Sequence, residues 1–146
     1  MTRVNILNPK DLTDQHLIAE RLELTFVLSS AKRSNESKKG LHVAPKFTLN
    51  AGHVSFFHDK LQYIKNRFNE LTQEMIDRGM NPQMPYPREY DTLPKGMWKD
   101  YVPTHEDETI IKERIVQRIM LKPEWYRYRG ESIGDGSAFL QKHRYI

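Results

Sequence analysis

The 146-residue chain contains no cysteine, which excludes disulfides, thiolate zinc sites, redox dithiols and cysteine nucleophiles together. Its chemistry therefore rests on nitrogen and oxygen. No apolar run approaches the roughly 20 residues that a membrane helix needs. The start Met1-Thr2-Arg3-Val4-Asn5 lacks the basic region and apolar stretch of a secretory signal. A soluble, cytoplasmic protein is expected. The chain also lacks internal repeats, low-complexity blocks, convincing strand alternation, and any GxSxG, HExxH or Walker sequence. What is there is enough for one domain with one core, at 38% hydrophobic and 29% charged residues. Lys and Arg number 23 against 19 Asp and Glu, and the net charge of +4 favours polyanionic partners.

Helical periodicity marks three segments. The first runs from about Asp11, read as its N-cap, to about Lys32, with Leu17, Leu24, Leu28 and Ala31 as its apolar stripe. His16, Glu20 and Glu23 share a face beside that stripe, at i, i+4 and i+7. In the second, Val54, Phe57, Leu61, Ile64, Phe68, Leu71 and Met75 step by threes and fours, predicting one helix from near Asn50 to Gly79. The third opens at a capping-box pattern, Thr104 to Asp107, carries Ile111, Ile115 and Ile119, and stops before Pro123. Between the second and third, Pro82, Pro85, Pro87, Pro94 and Pro103 alternate with Tyr86, Tyr90, Trp98 and Tyr101. Those rings predict an irregular segment wrapped on the core, since a free linker buries little. The expected fold is all-α: a single compact domain of three main helices with long irregular connections.

Charge is concentrated. Lys112, Arg114, Arg118, Lys122, Arg127 and Arg129 stand against Glu113 and Glu124, while acids pool between Glu89 and Glu108. Trp125-Tyr126-Arg127-Tyr128-Arg129-Gly130 interleaves rings with guanidinium groups. That mixture suits phosphates and bases, and equally suits rings packed on a core with solvated arginines. Glu20 and Glu23 read either as an acid–base pair or as a solvated face paired with Arg21 or Arg3. His16 reads as a general base, a phosphate donor or a structural histidine. His53 and His58 have no matching carboxylate pattern, so no metal site is expected. Gly134-Asp135-Gly136 follows no strand and reads as a flexible tail. By themselves these features point to a basic helical domain that binds nucleic acid.

Several blocks carry a resemblance: Met1-Thr2-Arg3-Val4-Asn5; Asp14-Gln15-His16-Leu17-Ile18-Ala19-Glu20 with Glu23-Leu24; Ala51-Gly52-His53-Val54-Ser55-Phe56-Phe57 with Asp59-Lys60-Leu61; Arg114; Arg118; and Trp125-Tyr126-Arg127-Tyr128. In order and nearly in spacing they resemble the phage-type endonuclease V family of pyrimidine-dimer DNA glycosylases. The resemblance implies an enzyme that cuts the glycosyl bond of the 5′ base of a cyclobutane dimer and then nicks the strand by β-elimination. It implies that the α-amino group of Thr2, exposed by removal of Met1, is the nucleophile, and that Glu23 is the catalytic carboxylate. An α-amine suits the task, because its ordinary pKa is about 8 against about 10.4 for lysine, so more of it is neutral near pH 7. By the same resemblance Arg3, Gln15 and His16 hold phosphates, Arg114 and Arg118 grip the backbone, and Trp125, Tyr126, Arg127 and Tyr128 complete the DNA-binding set. No metal or organic cofactor is implied. The implied partner is damaged double-stranded DNA, kinked and with a base flipped out, bound by a monomer of viral or bacterial origin and nucleoid-associated.

The departures from the family pattern are Leu22 and Phe26, where the family carries basic groups that seat the damaged strand, and Arg129, where it carries an aromatic. Residues 1–130 are expected to form the glycosylase-like domain, and residues 131–146 to extend it with no assigned role. Three outcomes follow: a dimer glycosylase and lyase, an enzyme for abasic or other lesions with weak dimer excision, or a DNA-binding protein of the same fold.

Overall fold

Thr13 decides where the first helix begins. In the computed structural model, which describes residues 3–146, its side chain accepts the His16 N–H, so helix α1 runs Asp14–Glu36. Asp11, the expected cap, lies instead in a 3-10 turn, Pro9–Asp11, which the Asn8 side chain caps through the Lys10 N–H. The predicted stripe Leu17, Leu24, Leu28 and Ala31 is fully buried, joined by Val27.

The long second helix is two helices, α2 (His53–Phe56) and α3 (Leu61–Asp77). The break has a tertiary cause. The Asp59 carbonyl accepts the Lys99 N–H at 3.1 Å and Lys60 bridges Trp98, so the wrapped segment takes backbone groups that a continuous helix would use. The Asp59 carboxylate meets the ammonium groups of Lys60 at 2.9 Å and Lys99 at 3.2 Å. Periodicity survives the break, because Phe57, Leu61, Ile64 and Leu71 are all fully buried. At its other end α3 stops where expected: Gly79 adopts φ 82°, and the Met80 N–H returns to the Met75 carbonyl at 2.9 Å.

Helix α1 packs along α3. Helix α4 (His105–Leu121) opens with the predicted capping box between Thr104 and Asp107, and it adds Ile111, Ile115 and Ile119 to the same core. Residues 80–103 wrap that core as expected: Met97 is buried, Tyr86 meets Phe68 edge-on, and Tyr101 meets Phe56 and Tyr63. The fold is all-α apart from one small antiparallel hairpin, β1 (Arg127–Tyr128) with β2 (Glu131–Ser132), which the sequence pattern did not announce. Gly134-Asp135-Gly136 is a turn and not a free tail. It leads into α5 (Ser137–Lys142), whose Phe139 and Leu140 are buried in the common core together with Tyr145.

Buried charge ties the ends of these elements together. Asp14 receives the Arg78 guanidinium at 2.9 Å and the backbone N–H groups of Arg129 and Gly130 at 3.0 and 2.8 Å. Arg78 also binds Glu74 and the Pro9 carbonyl. The start of α1, the end of α3 and the hairpin therefore meet at one polar joint. Among the described residues no helix is long and apolar enough to cross a membrane.

Candidate active site

A helix advances about 100° per residue, so His16 and Glu23, seven apart, lie within about 20° of each other on α1. Both face a cleft of about 230 Å³ lined by Arg3, Asn5, His16, Ala19, Glu20, Glu23, Ile115, Arg118 and Tyr126. The cleft lies between the N-terminal segment, α1, α4 and the stretch that follows α4. Segments remote in sequence meet there for identifiable reasons.

The N-terminal segment is held by a histidine. His53 Nδ1 bonds the Thr48 carbonyl at 2.8 Å, so the proton lies on Nδ1 and the bare Nε2 accepts the Val4 N–H at 2.8 Å. Burial and the charge of Arg3 lower the His53 pKa to about 4, against a partial rise from the Thr48 bond. The ring is neutral near pH 7, as that acceptor role requires. Phe47 and Phe57 pack edge-on against it. One residue earlier, the Arg3 backbone N–H donates to Glu23 Oε2 at 2.8 Å.

Glu23 is half-buried. Burial, with help from the Glu20 charge, pushes its pKa above the ordinary carboxylate value, while the Arg3 N–H and the Arg3 side chain oppose the rise. Glu20 forms the floor and is committed elsewhere: its carboxylate is fully buried and takes Arg67 through two bonds of 2.7 and 3.0 Å. Arg67 also donates to the Leu7 carbonyl. Burial alone would lower the Arg67 pKa, but Glu20 outweighs it and leaves the guanidinium firmly charged. The two carboxylates therefore do different work: Glu20 fixes the fold, and Glu23 has an oxygen available to the cleft.

His16 sits on the wall. Thr13 Oγ1 lies 2.8 Å from Nδ1, and the ring stacks on Tyr126 with centroids 5.0 Å apart. Burial first, then Arg3 and Arg118, lower its pKa to about 4. The Arg3 side chain is likewise lowered, by burial and by Arg114 and Arg118, against Glu23. Three guanidinium groups thus share the electrostatics of this cleft.

Gln15 stands at the rim and uses both ends of its amide on the chain itself. Nε2 donates to the Trp125 carbonyl at 2.7 Å and Oε1 accepts the Arg127 N–H at 2.9 Å. This clamp lays the aromatic and basic stretch beside α1. Trp125 and Arg127 are exposed there, and Tyr126 is buried into the wall. Tyr128 turns away: its hydroxyl donates to the Lys10 carbonyl at 2.8 Å and its ring lies against Arg78, 4.4 Å from the guanidinium carbon. Thr2 lies outside the described residues. Leu22 and Phe26, on the outer flank of α1 next to Glu23, are 48% and 50% exposed.

Sequence reasoning missed two residues. His53 carries no site signal in the sequence beyond its block, yet it anchors the backbone of the segment that reaches Glu23. Asn5 was passed over within the first block. It lines the cleft, is 3% exposed, and its Oδ1 is buried without a hydrogen-bond partner among the described residues. The next residue is strained. Ile6 has φ 48°, a left-handed value that a β-branched residue seldom adopts and that costs about 1–3 kcal/mol. The Leu7 N–H closes back onto the Asn5 carbonyl at 2.5 Å around it. Among the described residues no cluster of three or more His, Asp or Glu is arranged to hold a metal ion.

A protein-family model described as pyrimidine dimer DNA glycosylase matches residues 1–87. The chain belongs to that family. Its name puts the substrate in DNA and the reaction at a base–sugar bond, which agrees with a cationic cleft around a carboxylate. The matched span of this pyrimidine dimer DNA glycosylase family member contains Arg3, Asn5, Gln15, His16, Glu23 and His53. Arg114, Arg118 and the stretch from Trp125 to Tyr128 lie beyond it, and of these Arg118 and Tyr126 line the cleft.

Proposed function

We propose that the protein excises pyrimidine dimers from DNA through an imine formed by the α-amine of Thr2, exposed when Met1 is removed, and then nicks the strand by β-elimination. The observation that carries this reading is the 2.8 Å bond from the Arg3 N–H to Glu23. In this reading the amine acts from one Cα step, about 3.8 Å, before Arg3, on the carboxylate that the Arg3 N–H anchors. An amine there is close to a group able to move protons. The positive charge of Arg3 would favour the neutral, nucleophilic amine.

Attack at C1′ expels the base, and the imine that follows acidifies the C2′ hydrogen. Glu23, its pKa raised, suits the transfers that the sequence requires. Arg3 and Arg118, with Arg114 behind them, supply positive charge for the flanking phosphates. Exposed Trp125 offers a ring face next in sequence to Tyr126, which lines the cleft with His16 stacked on it.

Borohydride is expected to trap the protein on an abasic-site duplex, and blocking the N-terminal amine is expected to abolish trapping. Trapping that survives the block would move the nucleophile to a lysine. A second reading, lyase activity on abasic DNA with weak dimer excision, is favoured by one observation: Leu22 and Phe26 put apolar surface where the family pattern carries cations. Nicking of UV-irradiated plasmid supports dimer excision, whereas nicking confined to depurinated plasmid selects the second reading.

A further inference from the structure

The side chain of Asn5 is a polar feature of the cleft that the reaction above leaves unused. Its side chain makes no hydrogen bond to a described residue, although only 3% of the residue is exposed, and its Oδ1 is sealed from solvent. Folding normally avoids leaving such a group without a partner. Here it persists next to a strained Ile6, in a segment fastened on both sides, by His53 at Val4 and by Arg67 at Leu7. Unfavourable backbone and an adjacent unpartnered carbonyl oxygen, on a residue that lines a cleft, are features that a bound ligand would explain.

The chemistry of the group narrows that ligand. Phosphate oxygens only accept at neutral pH, and the cleft already offers Arg3 and Arg118 to them. A carboxamide both donates and accepts, and its natural complement is a hydroxyl. We propose that Asn5 is a substrate contact that binds the deoxyribose ring oxygen O4′ and the hydroxyl it becomes. This rests on the imine reading above. In that reading the amine forms a bond to C1′ and the base leaves with the C1′–N electron pair and one amine proton. The nitrogen lone pair then makes the C=N bond, the C1′–O4′ pair moves onto O4′, and the second amine proton follows it through Glu23. The Asn5 Nδ2–H would meet the charge that builds on O4′, and Oδ1, sealed in the free protein, would accept from the new hydroxyl once the amide turns toward it.

The test uses Asn5→Leu, which removes the polar groups at similar volume. An amide with no partner in the free protein contributes nothing by hydrogen bonding to stability, so the melting temperature is expected to stay level or rise. Single-turnover borohydride trapping on an abasic duplex is expected to slow about tenfold, the value of one neutral hydrogen bond gained in the transition state, with duplex affinity unchanged. Asn5→Ser, which restores a donor and acceptor, is expected to recover part of the rate. A lowered melting temperature in Asn5→Leu would make the amide structural, and an unchanged trapping rate would remove it from the reaction; either overturns the proposal. If the unmodified protein itself fails to trap, the imine reading falls and takes this inference with it. If it traps and Asn5→Leu traps equally well, this inference alone falls.

Discussion

Two residues of the same chemical class, Glu20 and Glu23, divide structure from chemistry within one turn of α1. Glu20 is locked to Arg67 in the interior, and removing either partner would leave a buried charge uncompensated. Glu23 keeps capacity for a substrate. Glu23→Gln is therefore expected to fold and bind damaged duplex normally while losing about 10²–10⁴-fold in strand scission. Single-turnover cleavage checks this, and full activity would end the carboxylate's role. His53 leads to a second residue-scale prediction, one with a pH signature. Its pKa in the folded chain is lowered to about 4 from 6.5, so the unfolded state binds the extra proton first. Its contribution to stability is complete above pH 6.5 and is lost as the pH falls toward 4. His16 acts in the same sense over the same window. Thermal melts of the intact chain should therefore fall across that range. His53→Ala is expected to reduce that fall, to cost about 1–3 kcal/mol at neutral pH by orphaning the Val4 N–H, and to slow trapping by loosening the segment that reaches Glu23.

At the scale of elements, α1 presents three different faces. Leu17, Leu24 and Leu28 face the core, His16 and Glu23 face the cleft, and Ile18, Leu22 and Phe26 form an exposed apolar flank, 48–50% accessible. That flank lies on the helix that carries the cleft residues His16 and Glu23, so cations placed on it are expected to add to the electrostatic part of DNA binding. Leu22→Arg with Phe26→Arg is expected to steepen the slope of log K against log salt by about 0.9 for each phosphate newly contacted. Duplex binding measured from low to moderate salt checks this, and an unaltered slope would place the flank outside the DNA surface. The elements also mark how far the sequence was legible. The capping box at Thr104, the Gly79 stop and the core stripes of the three helices are local signals, and they lie where the pattern put them. The break between Phe56 and Leu61 was illegible, because Lys99 and Trp98, some forty residues away, cause it. The same logic applies to the site. Glu23 and His16 share a helix face that spacing reveals, whereas the hold of His53 on the Val4 backbone and the place of Asn5 in the cleft are tertiary and no spacing encodes them.

For the molecule as a whole, the cleft depends on chain segments that never line it. Thr13 orients His16, and the turn just before Thr13 is fastened by the far C-terminus: His143 bonds the Asp11 carboxylate at 2.7 Å and the Tyr145 hydroxyl donates to the Asp11 carbonyl at 2.5 Å. Phe139 and Leu140 share one core with Leu12, Leu71 and Ile119. This connectivity makes residues 131–146 part of the cooperative unit, and not an appendage that melts by itself. Leu140 is 1% exposed, so Leu140→Ala is expected to cost about 2–5 kcal/mol, a lost side chain plus the cavity behind it. The whole molecule should feel that loss. A guanidinium melt followed by far-ultraviolet dichroism reads the main helices, and fluorescence reads Trp98 on the wrapped segment and Trp125 beside the hairpin. In a single cooperative unit both probes shift together to lower denaturant, with one transition and an unchanged slope. If the fluorescence signal moved earlier while the helical signal kept its midpoint, the C-terminal segment would be a separately folding extension. The site's dependence on it through Asp11 and Thr13 would then fail.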